Sequence, residues 1–436
     1  MARMSGKLLL LSVALVLSAD VARAQTAETP EGCRVSPSKT LAALDARREV
    51  LERELAQKSS AKTSKPHAKA PERDLRQSQE ELLQVLYEID CLKSASEQAA
   101  RKRARELAPQ PVLEVTTYYA TNRKPSGNDS PAKFYGSDRA SSFQYGRAVV
   151  TIPSIHTPGN LELPSLWKLE RTADPNKHFV LKAVLPLTKD AARKEMAEKL
   201  AGMDSHALLV FVHGYYTTFA DAALRTAQLA HDLEFPGMAF FYSWPSAGRA
   251  LAYWQDEEAS QLSNDAFEQL LGELSQLPVS DIYIVAHSMG NRVVASALRS
   301  RVEKKEETKH IRALLLAAPD INADLFRETI APKLAAMQGT QTTIYAASSD
   351  LALRASKIVH GFKRVGETVG GVFTYPGLDT IDASSAATVT RDFGHAYLMD
   401  SATVLKDIQS IVAHLAAKQR GLAEVGTSPN QYWQLR

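Results

Sequence analysis

Apolar residues follow two different patterns along the chain, and the change between them falls near residue 111. In the stretches 41–55 and 75–92, leucines and other apolar residues recur every three or four positions, which predicts two amphipathic helices. A basic, low-complexity segment at 58–66 separates the two patterns and cannot contribute to a core. We therefore predict an α-helical hairpin with a basic flexible loop over residues 25–111.

From residue 112 onward, short continuous apolar runs alternate with longer amphipathic stretches. The runs predict strands at 114–120, 146–152, 179–184, 207–212, 238–242, 281–286, 311–316, 342–347 and 378–382. The amphipathic stretches predict helices at 221–233, 256–277, 291–301, 324–337 and 396–417. This alternation is typical of an α/β protein with a doubly wound, mostly parallel sheet. We expect that domain to span residues 112–420 and a C-terminal tail to occupy 421–436.

The first 24 residues have the layout of a secretory signal peptide. Arg3 and Lys7 give a positive start, Leu8 to Leu17 form an apolar core, and a small-x-small sequence precedes Gln25. The apolar run of about ten residues is short of the roughly 20 that a spanning helix needs. We expect residues 1–24 to be removed and the protein to be periplasmic or secreted, with no transmembrane segment in the mature chain.

Composition narrows the class of protein further. The chain has 436 residues, of which 44% are hydrophobic and 23% charged, so it is neither wholly disordered nor a coiled coil throughout. The formal net charge is only +3, without the concentrated basic face of a nucleic-acid-binding domain. We therefore expect no nucleic-acid partner.

The two cysteines both precede the strand–helix region. In an oxidising compartment, Cys33 and Cys91 favour a disulfide over a metal site or a nucleophile. Such a bond would close the open end of the hairpin and stabilise it by about 4 kcal/mol. The hairpin itself is either a spacer or an element for docking or self-association.

One strand–turn–helix sequence carries the clearest chemical signal. Ser288 lies at the centre of Ala286-His287-Ser288-Met289-Gly290, between an apolar run and a helical pattern. A nucleophile elbow strains the backbone of its serine, so the residues two before and two after must be small. Ala286 and Gly290 meet that requirement, and we predict Ser288 as a catalytic nucleophile.

A serine nucleophile needs a base and an orienting acid, which in elbow hydrolases follow it in the order acid, then histidine. His395 lies between the last strand and the last helix, where an imidazole can reach back over the strand ends. Asp350 follows the strand at 342–347 and is our first choice for the acid. Asp320, after the preceding strand, stays open as an alternative, as do Asp379 and Asp382 in or near the last strand. Asp320 and Asp350 could instead cap the helices that they precede.

The developing oxyanion needs backbone N–H donors. Met289 supplies one directly after the nucleophile, and Tyr215, after Gly214 in the loop that follows the strand at 207–212, supplies the second. His213 has no second ligand at metal-binding spacing, so we expect neither a metal nor a cofactor. Nearby aromatic residues either form a substrate-binding rim or only pack beneath the loops: Tyr216, Phe219, Trp244 and Tyr253.

From about Val115 to His414 the chain resembles the α/β-hydrolase superfamily and, within it, an uncharacterised bacterial family that is esterase- and lipase-like. The segments that carry the resemblance are Tyr118–Arg123, Tyr145–Gly146, Val150–Pro153, Val212–Tyr215, Tyr242–Ser246, Ala286–Gly290, Ala318–Asp320 and Gly394–His395. The resemblance implies hydrolysis of an ester or related acyl bond in a small molecule. The predicted hairpin lies outside it.

The leading functional hypothesis is an exported serine hydrolase that cleaves carboxylic esters through an acyl-enzyme. Only about one helix separates the strands at 311–316 and 342–347, too little for a large lid, so short or medium acyl groups are favoured. The same residues could serve an amidase, a thioesterase or an acyltransferase. The non-enzymatic alternative is an envelope-associated interaction protein that uses the hairpin on a hydrolase scaffold.

Overall fold

The structure is a computed structural model. It describes residues 39–64, positions 81–82, 84–86, 88–89 and 92, and residues 112–164, 172–249, 252–348, 362–386 and 400–435. Contacts divide the chain into two compact units, Met1–Gln110 and Pro111–Arg436. Within the described ranges, no helix combines the length and the hydropathy needed to cross a membrane.

In the first unit, helix α1 spans Leu41–Ser64, and the described positions between 81 and 92 are also helical. A small buried apolar cluster joins the two segments: Leu44, Leu51, Val85 and Ile89. Lys39 pairs with Glu88 at 2.7 Å and Arg47 pairs with Glu81 at 2.6 Å. Since the partners follow opposite orders along the chain, the segments pack antiparallel, as expected for the predicted hairpin.

Several predicted features lie outside the described residues. These are the signal sequence at 1–24, both cysteines of the proposed disulfide, Cys33 and Cys91, and two members of the proposed triad, Asp350 and His395. They remain predictions.

The second unit is built on one sheet. Its strands are β1 Leu113–Pro125, β2 Tyr135–Ile152, β3 Val180–Leu187, β4 Ala207–Val212, β5 Met238–Ser243, β6 Asp281–His287, β7 Ile311–Ala317, β8 Gln341–Ala346, β9 Asp379–Asp382, β10 Ala423–Val425 and β11 Tyr432–Gln434. In the described part of the chain their order is β10-β11-β9-β8-β7-β6-β4-β5-β1-β2-β3. All neighbours from β11 to β1 in this order pair in parallel, and antiparallel pairs occur only towards the two edges.

Helices cover both faces of the sheet. They are α2 Lys189–Ala201, α3 Phe219–Asp232, α4 Tyr253–Gln261, α5 Asn264–Leu274, α6 Gly290–Glu303, α7, made of Ala323–Leu325, the π-helical turn Phe326–Ile330 and Ala331–Ala335, and α8 Ala402–Val412. Apolar residues of α3 and α8 pack on one face, and those of α2, α5, α6 and α7 pack on the other. The predicted α/β fold with a mostly parallel sheet is confirmed.

Strand β4 shows why its sequence is apolar throughout. Leu209 and Phe211 join the core on the α3 face, while Leu208, Val210 and Val212 join the core on the opposite face. Successive side chains of a strand point to opposite faces, so a strand with helices on both sides is buried at every position.

Three elements differ from the pattern-based expectation. Helix α2 was not predicted, because its buried residues Ala192, Met196 and Leu200 stand in a run of charged residues. The single helix expected at 256–277 is two helices, α4 and α5. The segment expected to be a tail, 421–436, contributes β10 and β11, which extend the sheet beyond β9.

The strand order also places the functional loops. Strand β5 lies on one side of β4 and strand β6 lies on the other, so the chain reverses its direction across the sheet at β4. Such a reversal opens a crevice at the carboxyl ends of the strands, where α/β proteins bind their ligands. The loops that follow β4 and β6 meet there.

Candidate active site

Ser288 occupies a strained turn between β6 and α6. Its φ is +52°, in the left-handed region that residues with a Cβ adopt rarely and at a cost of about 1–3 kcal/mol. Its amide donates to the Ala317 carbonyl at the end of β7 (2.9 Å). The side chain of Asn291, fully buried, donates to the carbonyls of both Ser288 and Ala317 at 2.9 Å. These bonds hold the turn in its strained form.

Two glycines let the surrounding backbone approach this turn. A Cβ on Gly290 would lie 2.3 Å from the His213 carbonyl oxygen and 2.7 Å from that of Val212. A Cβ on Gly214 would lie 2.8 Å from the Cβ of Ser288. The close contact therefore puts the loop after β4 directly against Ser288, and it explains why a small residue is needed two positions after the serine.

A chain of buried polar groups stands behind that loop. Arg123 Nε donates to Ser243 Oγ at 2.8 Å, and Ser243 Oγ lies 3.1 Å from His213 Nε2. The other ring nitrogen of His213, Nδ1, is 2.8 Å from the Gly214 carbonyl oxygen. Since that oxygen can only accept, Nδ1 carries the proton and Nε2 accepts from Ser243. We call this series of Arg123, Ser243 and His213 the relay.

The relay fixes one peptide plane beside Ser288. The Gly214 carbonyl and the Tyr215 N–H belong to the same trans peptide, so they point in opposite directions. When His213 holds the carbonyl on one side, the N–H is directed to the other. The predicted oxyanion donor at Tyr215 is thus held by side chains that lie behind the loop.

Burial lowers the pKa of both residues at the ends of the relay, His213 and Arg123. Burial, with Arg123 nearby, lowers the pKa of His213 to about 3, so its ring is neutral at ordinary pH. Burial also lowers the pKa of Arg123 to about 10, which still leaves it protonated. Its guanidinium donates to the carbonyls of Thr217 (2.8 Å) and Ser246 (2.9 Å), which belong to two different loops at the carboxyl edge.

Asp256 of α4 connects the same two loops by accepting hydrogen bonds from their N–H and O–H groups. Its carboxylate, fully buried, accepts from the amide of Tyr216 (3.0 Å), the amide of Ala247 (2.6 Å) and the hydroxyl of Ser246 (2.5 Å). Tyr216 itself has a φ of +59°. A buried cation and a buried anion therefore fix the loops after β4 and β5 relative to each other.

Asp320, the alternative triad acid, is surrounded by positive groups. One of its carboxylate oxygens accepts from the Tyr253 hydroxyl at 2.6 Å and lies 3.4 Å from Arg292, and the other lies 3.2 Å from Arg364. Arg292 also pairs with Glu257. The Asp320 carboxylate thus takes part in an ionic cluster beside the elbow.

The aromatic residues predicted for the rim separate into two groups. Phe219 and Trp244 are almost wholly buried: Phe219 packs on Tyr119 and Phe241 in the core, and Trp244 stacks on His213 and donates to its carbonyl (2.8 Å). Their burial agrees with the alternative that these two residues pack beneath the loops.

The other two predicted rim residues remain near the surface of the site. The Tyr215 ring lies between those of Tyr216 (5.9 Å) and Tyr253 (5.4 Å), and Tyr216 is 53% exposed. Sequence reasoning missed Trp254, which is 62% exposed and packs edge-on against Tyr253 at 6.1 Å. These rings form a continuous row from the loop after β4 to the start of α4.

The parallel sheet with helices on both faces, the strained strand–turn–helix at Ser288 and the glycine loop against it define an α/β hydrolase. The chain belongs to the family described as "Alpha/beta hydrolase of unknown function (DUF900)", whose profile matches residues 188–412, just over half of the chain. The resemblance drawn from the sequence motifs is confirmed.

Solved structures give more distant similarities. An esterase from Pseudomonas putida is 11% identical, with a TM-score of 0.30, over 74% of this chain and 90% of that one. An esterase from Pyrobaculum calidifontis is also 11% identical, with a TM-score of 0.28, over 74% and 93%. The phospholipase PlaB from Legionella pneumophila is 9% identical, with a TM-score of 0.27, over 52% and 67%. Among curated protein sequences there is no significant match.

Proposed function

We propose that the protein is a serine hydrolase that cleaves carboxylic esters with short or medium acyl groups. The observation that carries the proposal is the strained conformation of Ser288 between β6 and α6, in contact with the Gly214 loop. Strain of this kind persists where the surroundings enforce it, and such positions cluster at active sites.

In the proposed reaction, Ser288 Oγ attacks the ester carbonyl while His395 takes its proton. The tetrahedral intermediate places its negative oxygen against the N–H groups of Tyr215 and Met289. His395 then protonates the departing alcohol, leaving an acyl-enzyme, and a water molecule activated by the same histidine releases the acid and restores Ser288. Asp350 orients the imidazole throughout.

Two features of the described residues support the oxyanion donors. His213 of the relay binds the Gly214 carbonyl on one side of the peptide, so the Tyr215 N–H points to the other side. Met289 precedes α6, so its amide lies at the positive end of a 14-residue helix. Among the described residues, no hydrogen-bond acceptor is recorded for that amide. Both donors are therefore compatible with an incoming oxyanion.

The nucleophile is tested by labelling the protein with a fluorophosphonate, which phosphonylates an activated serine and releases fluoride. We expect labelling of the wild-type protein, its loss in Ser288→Ala, and its retention in Ser280→Ala, an exposed serine just before β6 at the opposite end of the strand. Labelling that persists in Ser288→Ala contradicts the proposal. Hydrolysis of matched ester, amide and thioester substrates then separates an esterase from the related acyl-transfer enzymes.

For the acid we propose Asp350 in preference to Asp320. The ionic partners of Asp320 at the elbow support a structural role for its carboxylate. Asp350→Asn is expected to lower kcat by about 10⁴-fold through the wrong imidazole tautomer. Asp320→Asn is expected to lower the stability of the fold instead, by about 1.5–3 kcal/mol for each charged hydrogen bond lost. If folded Asp320→Asn lost more kcat than Asp350→Asn, Asp320 would be the triad acid and Asp350 would not.

We also propose that the protein is exported through the signal sequence at 1–24 and acts in the periplasm or outside the cell. The three-part layout of the first 24 residues supports this. Sequencing of the mature N-terminus from fractionated cells tests it. A chain that retains Met1 and remains in the cytoplasm contradicts it.

A further inference from the structure

A cluster of metal-binding side chain types lies outside the hydrolase site. His156 belongs to the loop after β2, and His231 and Asp232 end helix α3. One ring nitrogen of each histidine and one carboxylate oxygen of Asp232 lie within 4.8 Å of one another. The His156 side chain is 4% exposed and that of Asp232 is fully buried. His156 is distant in sequence from the adjacent pair His231 and Asp232, so spacing gave no signal of a site.

The cluster is held in place by further hydrogen bonds. His156 Nε2 faces Asp232 Oδ1 at 2.5 Å, and its Nδ1 faces a Glu162 oxygen at 2.8 Å. Asp232 Oδ2 accepts from the Gly159 amide (2.8 Å) and from the Gln228 side chain (3.2 Å). The contact between His156 Nδ1 and Glu162 is typical of metal-bound histidines, which usually donate their second ring N–H to a carboxylate, and this fixes the ring orientation.

The charges of the cluster favour a cation. The Asp232 carboxylate is fully buried and that of Glu162 is 10% exposed, and among the described residues neither pairs with a lysine or an arginine. Even with His156 protonated, one negative charge remains in excess. The carboxyl end of α3, a 14-residue helix, adds partial negative charge at the same place. Burial of unbalanced charge is costly, so a divalent ion would relieve it.

A half-open cavity of about 410 Å³ borders the cluster and has His231 and Asp232 in its wall. Because the Asp232 side chain is fully buried, an ion would reach the cluster past the partly exposed His231. The cavity leaves room for a water molecule as a fourth ligand.

We propose that His156, His231 and Asp232 bind a zinc-class divalent ion, with Glu162 orienting His156. Two imidazole nitrogens and one carboxylate oxygen suit zinc and its transition-metal neighbours, whereas magnesium and calcium prefer sites made entirely of oxygen. The ion replaces the proton between His156 Nε2 and Asp232 Oδ1, and that proton is released to solvent. These two atoms, 2.5 Å apart, separate to about 3.3 Å and the His231 nitrogen moves closer, since zinc–ligand distances in a tetrahedral site are about 2.0–2.2 Å.

The position of the site indicates a structural role. Helix α3 starts after β4 at the carboxyl edge of the sheet and ends before β5 at the amino edge. A 14-residue helix is about 21 Å long, so the ion would lie roughly 20 Å from the edge that holds Ser288. It would tie the loop after β2 to the end of α3, and it does not depend on the proposed hydrolase chemistry.

The test is titration of the metal-stripped full chain with Co²⁺ and Zn²⁺. We expect one saturable site per chain, a visible Co²⁺ spectrum of low-coordinate type that Zn²⁺ bleaches, and a higher Tm on binding. His231→Ala, at the partly exposed ligand, should weaken binding at least 100-fold while the protein stays folded. Glu162→Gln should weaken it about 10–100-fold, as loss of an orienting carboxylate does.

The matched control is His206→Ala, an exposed histidine just before β4 that lies outside the cluster. It should bind the ion like the wild-type protein. The proposal is overturned if no saturable binding occurs, if His231→Ala binds as tightly as wild type, or if His206→Ala weakens binding equally. Ca²⁺ that competes as well as Zn²⁺ would also overturn it.

Discussion

Removing a single oxygen atom from the relay tests whether side chains behind the loop control the reaction at Ser288. Ser243 is fully buried, and its hydroxyl joins Arg123 Nε (2.8 Å) to His213 Nε2 (3.1 Å). Ser243→Ala leaves the strand and its packing in place but removes both contacts. His213 then loses the donor that selects its tautomer, and with it the reason for Nδ1–H to face the Gly214 carbonyl.

The structure gives a magnitude for this change. Two buried polar atoms, one on Arg123 and one on His213, lose their partner, and each unsatisfied group costs about 1–3 kcal/mol. We therefore expect the free energy of unfolding to fall by about 2–6 kcal/mol. If the Gly214–Tyr215 peptide turns away, one oxyanion donor is lost, which typically lowers kcat by about 10²–10³-fold.

The assay is the rate of fluorophosphonate labelling and of ester hydrolysis, measured beside urea denaturation. Ser260→Ala is the matched control, because Ser260 is also fully buried but its hydroxyl donates only to a carbonyl of its own helix, that of Glu257 (2.7 Å). The control should keep its labelling rate. If folded Ser243→Ala labels as fast as the control, His213 does not orient the peptide and the relay has no catalytic role.

Four further outcomes are expected. Gly214→Ala should abolish labelling in a folded protein, because the new Cβ would lie 2.8 Å from that of Ser288. Burial lowers the pKa of His213 to about 3, below its unfolded value near 6.5, so the contribution of His213 to stability should fall by about 2 kcal/mol between pH 7 and 5. Urea titrations of wild type and His213→Gln at the two pH values should differ by that amount. Thiol counting on unreduced mature protein should find Cys33 and Cys91 bonded; two free thiols contradict this. Rates on a series of nitrophenyl esters should peak at short or medium acyl chains, and a maximum at long chains with a jump at the micelle threshold would reveal a lid.

Local patterns in the sequence were sufficient to predict the parallel strands of the sheet and the turn at Ser288. The run Ala207–Val212 is apolar at every position because helices cover both sides of β4, and this is visible without any tertiary information. The elbow at Ser288 is equally local, since strand, turn, helix and small flanking residues lie within one short segment. Where one segment contains the whole physical cause, the sequence predicts the structure.

The features that were missed have their causes in distant segments. Strands β10 and β11 are only three residues long and are strands only because they pair with each other and with β9. Arg123, Ser243 and His213 are separated by about 30 to 120 positions, and only the pairing of β1, β5 and β4 brings them together. A buried arginine at the end of a strand gives no local indication of which carbonyls it will contact.

The placement of buried polar groups follows from the parallel sheet itself. Strands that all end at one edge direct their carboxyl-terminal loops into one crevice, and flexible loops would place catalytic N–H groups poorly. In this chain the buried charges of Arg123 and Asp256 bind loop carbonyls and loop amides, so their desolvation cost is offset by bonds to the segments that must stay fixed. A hydrophobic replacement of either residue could preserve the core and still lose the loop geometry. Substitutions there should therefore lower kcat more than their effect on stability alone would predict.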